Sequence, residues 1–88
     1  MKVIIDECVF SQKFMLKLKK AIPNHEFIYL GRGLADMQIE RYMMNNPDSV
    51  LITADVEFDT HFGFDRSILI ESNDPMNENV HIVKAWLT

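Results

Sequence analysis

Val50-Leu51-Ile52-Thr53-Ala54-Asp55-Val56-Glu57-Phe58-Asp59 is the stretch on which the fold turns. Its three consecutive branched apolar residues predict a buried strand over residues 50–53. The strand runs straight into three acids at alternate positions. Carboxylates at the rim of a dry interior need something to neutralise them. The same order of residues opens the chain, where Val3-Ile4-Ile5 leads into Asp6-Glu7. Two such strands side by side and parallel would bring Asp6 and Asp55 to one end of a sheet. In open α/β sheets, ligands bind beyond the carboxyl ends of the strands, where the strand order reverses.

Between these strands the pattern alternates. Ser11 is a helix N-cap, and Phe14, Leu18, Ala21 and Ile22 form an inward stripe of a helix ending near Pro23. Residues 26–30 predict a second strand. Residues 35–45 predict a second helix, with Asp36 in its first turn and Ile39, Tyr42 and Met43 facing inward. Residues 67–70 predict a fourth strand and residues 80–84 a fifth, at the edge. Residues 57–66 and 71–79 read as connections. The expected architecture is a small three-layer α/β domain spanning residues 1–88. Its sheet is mostly parallel, in the order 2-1-3-4 plus an edge strand, with two main helices. Two helices cannot cover both faces of such a sheet, so a bare region near strands three to five predicts a homodimer.

Composition narrows the class. The 88 residues are 48% hydrophobic and carry a net charge of −4. That balance opposes general polyanion binding, so a nucleic acid would need a local basic patch or bridging metal ions. The single cysteine, Cys8, forms no internal disulfide and reads as a small buried residue suited to the reducing cytoplasm. No apolar run is long enough for a membrane span or a leader.

Asp6, Asp36 and Asp55 are the candidate site. Each is bland alone: a strand exit, a capping acid, a turn acid. Together they are three carboxylates at one end of the sheet. Unit charges about 4 Å apart repel by roughly 4 kcal/mol at an effective dielectric near 20. Hard oxygen ligands with gaps for water suit Mg²⁺ or Mn²⁺, ions that cradle phosphate and activate water. Glu57 is a further ligand candidate, and Glu40 lies one turn beyond Asp36. Thr53 is placed to hydrogen-bond a carboxylate, and Asp59 reads as solvated. Lys13, Lys17, Lys19 and Lys20 form either a solvated helix face or a phosphate-tracking strip beside the acids, with Arg32 a second candidate cation. His61 follows the acids; His25 and His81 show no ligand spacing.

These motifs resemble the PIN-domain superfamily, in particular its short PIN-like branch proposed as toxins of toxin–antitoxin pairs. The matching segments are Val3-Ile4-Ile5-Asp6-Glu7-Cys8, Gly33-Leu34-Ala35-Asp36-Met37-Gln38-Ile39 and Leu51-Ile52-Thr53-Ala54-Asp55-Val56-Glu57-Phe58. The likeness runs from residue 1 to about residue 70. It implies a metal-dependent endoribonuclease acting on RNA with Mg²⁺ or Mn²⁺. Asp6, Asp36 and Asp55 would be catalytic, and with Glu57 they would hold the metal. A cognate antitoxin protein is the partner it implies. Cys8 stands where the pattern has Asn, Glu57 where it has Asp, and relatives continue into a further helix. Those departures motivate the alternative of a catalytically degenerate PIN-like interaction module. A phosphoacceptor domain of the receiver type is a third reading, with acids after strands one and three and Lys84 near the last strand.

Overall fold

Branched apolar runs form the sheet and amphipathic stripes cover it. The computed structural model describes all residues except Arg32, Leu34, Ala35 and Phe64. Arg32 as a candidate cation, and the expected helix start at residue 35, therefore lie outside the described residues. Strands β1 (Lys2–Ile5), β2 (Glu26–Ile28), β3 (Val50–Thr53) and β4 (Ser67–Leu69) make one parallel sheet in the order β2-β1-β3-β4. The register pairs Ile4 with Leu51 and Ile52 with Ile68. Strands β1 and β3 are central, and the order reverses between them.

Period-two alternation sends side chains to two separate cores. Val3, Ile5, Val50, Ile52 and Ile68 pack with Phe14 and Leu18 of α1 (Gln12–Ala21) and Val83 of α4 (Met76–Leu87). Ile4 and Leu51 pack on the other face with Ile39 and Met43 of α2 (Asp36–Asn45) and Phe58 of α3 (Val56–Phe62). The result is three layers, α1 and α4 on one face and α2 and α3 on the other. Ser11 caps α1 as expected, its Oγ accepting from Phe14 N at 3.0 Å.

Two expectations fail. Residues 80–84 are not a fifth strand but the middle of α4. Val80-His81-Ile82-Val83 has the β-branched composition of a strand, yet Met76, Val80, Val83 and Leu87 also form a helical stripe, and all four pack on the first core. Only the helix covers the sheet face left open beside α1; Ile82, which completes the strand pattern, is 39% exposed. Residues 57–66 are not a plain connection either, since α3 begins at Val56. Asp55 caps it, Phe58 and Phe62 stack one turn apart, and Gly63 ends it at φ +82°, a conformation that glycine adopts without strain. Among the described residues four helices, not the expected two, cover both faces, so the bare-sheet argument for a homodimer loses its premise. Lys84 lies on α4 rather than on a strand, which removes the lysine from the receiver-type reading. Among the described residues, no helix is long and apolar enough to cross a membrane.

Candidate functional site

The carboxyl ends of β1 and β3 lie side by side, and the chain fixes both. Asp6 N donates to Ile52 O at 2.9 Å, which extends the ladder one residue past β1. Ile70 N donates to Thr53 O at 2.9 Å and holds the end of β3 from its other side. Asp6 is thereby buried, 8% exposed. Its Oδ2 accepts the Thr53 hydroxyl at 2.8 Å and the Cys8 thiol at 3.1 Å. The fully buried Thr53 hydroxyl also accepts Asp55 N at 3.0 Å. One side-chain oxygen therefore connects the Asp6 carboxylate to the turn that carries Asp55.

That turn starts α3. Asp55 Oδ1 accepts Glu57 N at 2.9 Å, an N-cap bond, and this sets the direction of the helix. A cleft of about 230 Å³ opens between α2 and α3, lined by Asp36, Glu40, Asp55, Glu57, Phe58 and His61. Asp36 and Glu40 come from the first two turns of α2. Glu57 and His61 stand four residues apart on α3, and His61 Nε2 lies 3.0 Å from Glu40 Oε1, joining the two helices. The structure thus brings three of the four sequence candidates, Asp36, Asp55 and Glu57, to one cleft. Asp6 is not in its lining. It sits behind, one Thr53 hydroxyl away from the Asp55 backbone. Among the described residues, no three His, Cys, Asp or Glu side chains are placed so that they could hold a metal ion together.

Other expectations shift. Glu40 pairs with His61, and His61 lines the cleft, a place that Glu57 four residues earlier signals once residues 56–62 are read as helical. Asp59 is not simply solvated: Ser67 Oγ donates to its Oδ1 at 2.5 Å and ties α3 to β4. The lysines of α1 lie on the sheet face opposite α2 and α3, so they do not flank the acidic cleft. Lys17 Nζ instead reaches Asn77 Oδ1 of α4 at 2.9 Å. Glu7, beside Asp6, accepts Gly33 N at 3.1 Å and anchors the loop ahead of α2.

Cys8 corrects the reading as a buried residue, since it is exposed. Its thiol pKa is nonetheless raised, first by partial burial and also by the negative Asp6 carboxylate, which accepts a hydrogen bond from the protonated thiol. The folded state holds that proton more tightly than the unfolded chain does. This contribution to stability is present below the ordinary thiol pKa and is lost as pH rises through the raised one. Alkylation of Cys8 by iodoacetamide near neutral pH should run slower than that of a free thiol. Asp6→Asn should restore part of the rate, and equal rates in the folded protein and a free thiol would contradict the hydrogen bond.

Thr53→Val should be costly despite matching the shape. It leaves a buried carboxylate short of one donor and Asp55 N without its acceptor. The expected loss, read from urea unfolding, is about 1–3 kcal/mol. Thr53→Ser, which keeps the hydroxyl, should recover most of it, and an equal loss in both variants would contradict the bridge.

Compared with family models, with curated proteins and with solved structures, the chain gave no match.

Proposed function

We infer that this is a PIN-like, metal-dependent endoribonuclease, of the kind proposed as the toxin of a toxin–antitoxin pair. The observation that carries the reading is the convergence of Asp36, Asp55 and Glu57 on one cleft, with Asp6 held behind them at the strand-order reversal. Asp36, Asp55 and Glu57 fit Mg²⁺ or Mn²⁺ in their chemistry, because all three are hard carboxylates and water has room in the cleft. Asp36, Asp55 and Glu57 would hold the ion. Bound there, it supplies charge neutralisation for a phosphodiester and a more acidic water.

The remaining work falls to the chain. Thr53 keeps Asp6 and the Asp55 turn in register, and the Asp55 cap fixes the direction from which Glu57 approaches. The Glu40–His61 contact holds α2 and α3 at the mouth of the cleft. Cleavage of a single-stranded RNA by the purified protein should need Mn²⁺ or Mg²⁺ and stop in EDTA. Cleavage that persists in EDTA would overturn the reading.

A specific observation favours a second reading, the degenerate interaction module. Asp55 Oδ1 is committed to its helix cap, and no three ligands are grouped beforehand among the described residues. A cation that binds only the folded protein raises its melting temperature. A Tm unmoved by millimolar Mn²⁺ therefore selects the module over the nuclease.

A further inference from the structure

Charge is divided between the two faces of the sheet. Helices α1 and α4, which cover one face, hold five of the nine Lys and Arg residues and one of the 13 Asp and Glu residues. They carry a net +4, and the rest of the chain carries −8. Helix α1 has no acid at all. Its Lys13, Lys17 and Lys20 stand four and then three residues apart, so they form one stripe about 10 Å long. Asn77, His81 and Lys84 repeat that spacing on α4, and all three are exposed. Lys17 Nζ donates to Asn77 Oδ1 at 2.9 Å, which sets the two stripes side by side.

A helix face that serves only solubility mixes acids with bases. Glu–Lys pairs at these spacings are favourable, and Lys–Lys pairs are not. Here Lys13 and Lys17 repel, as do Lys17 and Lys20. Among the described residues, none of the lysines on these two helices has a carboxylate partner. No contact within the fold offsets that repulsion, whereas a line of anions laid along the stripes would.

The overall charge of −4 does not prevent this. The molecule measures 23 Å along its shortest axis. The Debye length is about 8 Å at physiological salt, so the acidic cleft on the opposite face is screened from a ligand on α1. The make-up of the face then selects among anions. Protein interfaces centre on Trp, Tyr and Arg anchors and are depleted in Lys. The two stripes hold no Phe, Tyr, Trp or Arg, and Leu16, 64% exposed, is the one large apolar side chain that α1 exposes. Point charges in a row on flexible stems suit successive phosphates. We propose that the paired stripes of α1 and α4 bind the phosphate backbone of single-stranded RNA. That the strand is RNA rests on the nuclease reading; the phosphate recognition does not, and it needs no metal.

The test therefore omits metal. Binding of a fluorescent oligouridylate to the full chain in EDTA is followed by anisotropy across a salt series. Affinity should fall as salt rises, each lysine–phosphate contact adding roughly 0.7 to the slope of log K against log salt. Lys13→Gln combined with Lys20→Gln keeps good helix formers at both positions and should flatten the slope by about 1.4. Arg41→Gln removes a charge from an exposed position of α2, on the opposite face, and should leave the slope unchanged. Failure of the wild type to bind, a slope that ignores the lysines, or an equal flattening per charge in Arg41→Gln would overturn the strip. So would equal displacement by polyglutamate, which would mark an acidic protein partner seated over Leu16, or by phosphatidylserine vesicles, which would mark a membrane surface. Metal-dependent cleavage with a salt slope indifferent to the lysines would sink the strip alone. A slope that depends on them, with cleavage that persists in EDTA, would sink the nuclease reading alone.

Discussion

Asp55→Asn is expected to lower metal-dependent RNA cleavage by about a hundredfold or more while the fold persists. The two effects separate because the proposed site gives Asp55 two jobs with different requirements. As the N-cap of α3 it needs only an oxygen that accepts Glu57 N, and Asn caps about as well as Asp. As a ligand it needs a negative charge, which Asn lacks. Urea unfolding should therefore move by less than about 0.5 kcal/mol. Asp55→Ala would confound the two roles, since it removes the cap as well. Cleavage by Asp55→Asn at the wild-type rate would remove Asp55 from the catalytic set. A large fall in stability would mean that the cap bond depends on charge.

Arg66→Ala should be among the most destabilising single changes outside the two cores, costing about 2–4 kcal/mol in urea unfolding. The guanidinium is half-buried and binds the end of α2 and the turn into β3 at four points. Nε donates to Ser49 O at 2.9 Å. Nη2 lies 3.0 Å from Met43 O, 3.0 Å from Ser49 Oγ and 3.3 Å from Asn46 O. Met43 O lies in the last turn of α2, at the negative pole of its dipole, and the other acceptors belong to the turn that follows it. A chain of 88 residues has roughly 4–13 kcal/mol of total stability, so the loss would be a large share of it. Arg66→Lys should rescue little, because a single ammonium cannot span the same fork. A loss below about 1 kcal/mol would show that water replaces the guanidinium easily.

Residues 50–53 and 3–5 could be read as strands because three branched apolar residues in a row suit a strand buried on both faces. Their neighbours then followed: Ser11 as a cap, Phe14 and Leu18 as a stripe, the order 2-1-3-4 from crossover rules. Residues 80–84 misled because β-branched composition and a helical stripe coincide there, and only the three-dimensional need to cover the sheet decides between them. Helix α3 was hidden for a related reason. Its seven residues are too few for periodicity to stand out, and the informative signals were the Asp55 cap, the Phe58–Phe62 spacing and Gly63. At the site, Asp36, Asp55 and Glu57 were legible from their positions at element ends. Thr53 was legible as a carboxylate's hydrogen-bond partner, but the place of Asp6 behind the cleft was not, because the bridge spans 47 residues and depends on strand register. Arg66 gave no local signal for the same reason: its partners are 17 to 23 residues away, and a side chain that caps a distant helix looks ordinary in sequence.

The most direct test of convergence is paramagnetic broadening of backbone amide signals by Mn²⁺, because it reports where the ion sits without requiring activity. Substoichiometric Mn²⁺ should erase the signals of Asp36, Asp55, Glu57 and their neighbours first and leave those of Ala21 and Trp86 sharp. Asp55→Asn should weaken the effect. No selective broadening, or broadening confined to acids elsewhere such as Glu71 and Asp74, would contradict a cation site at the meeting of α2 and α3.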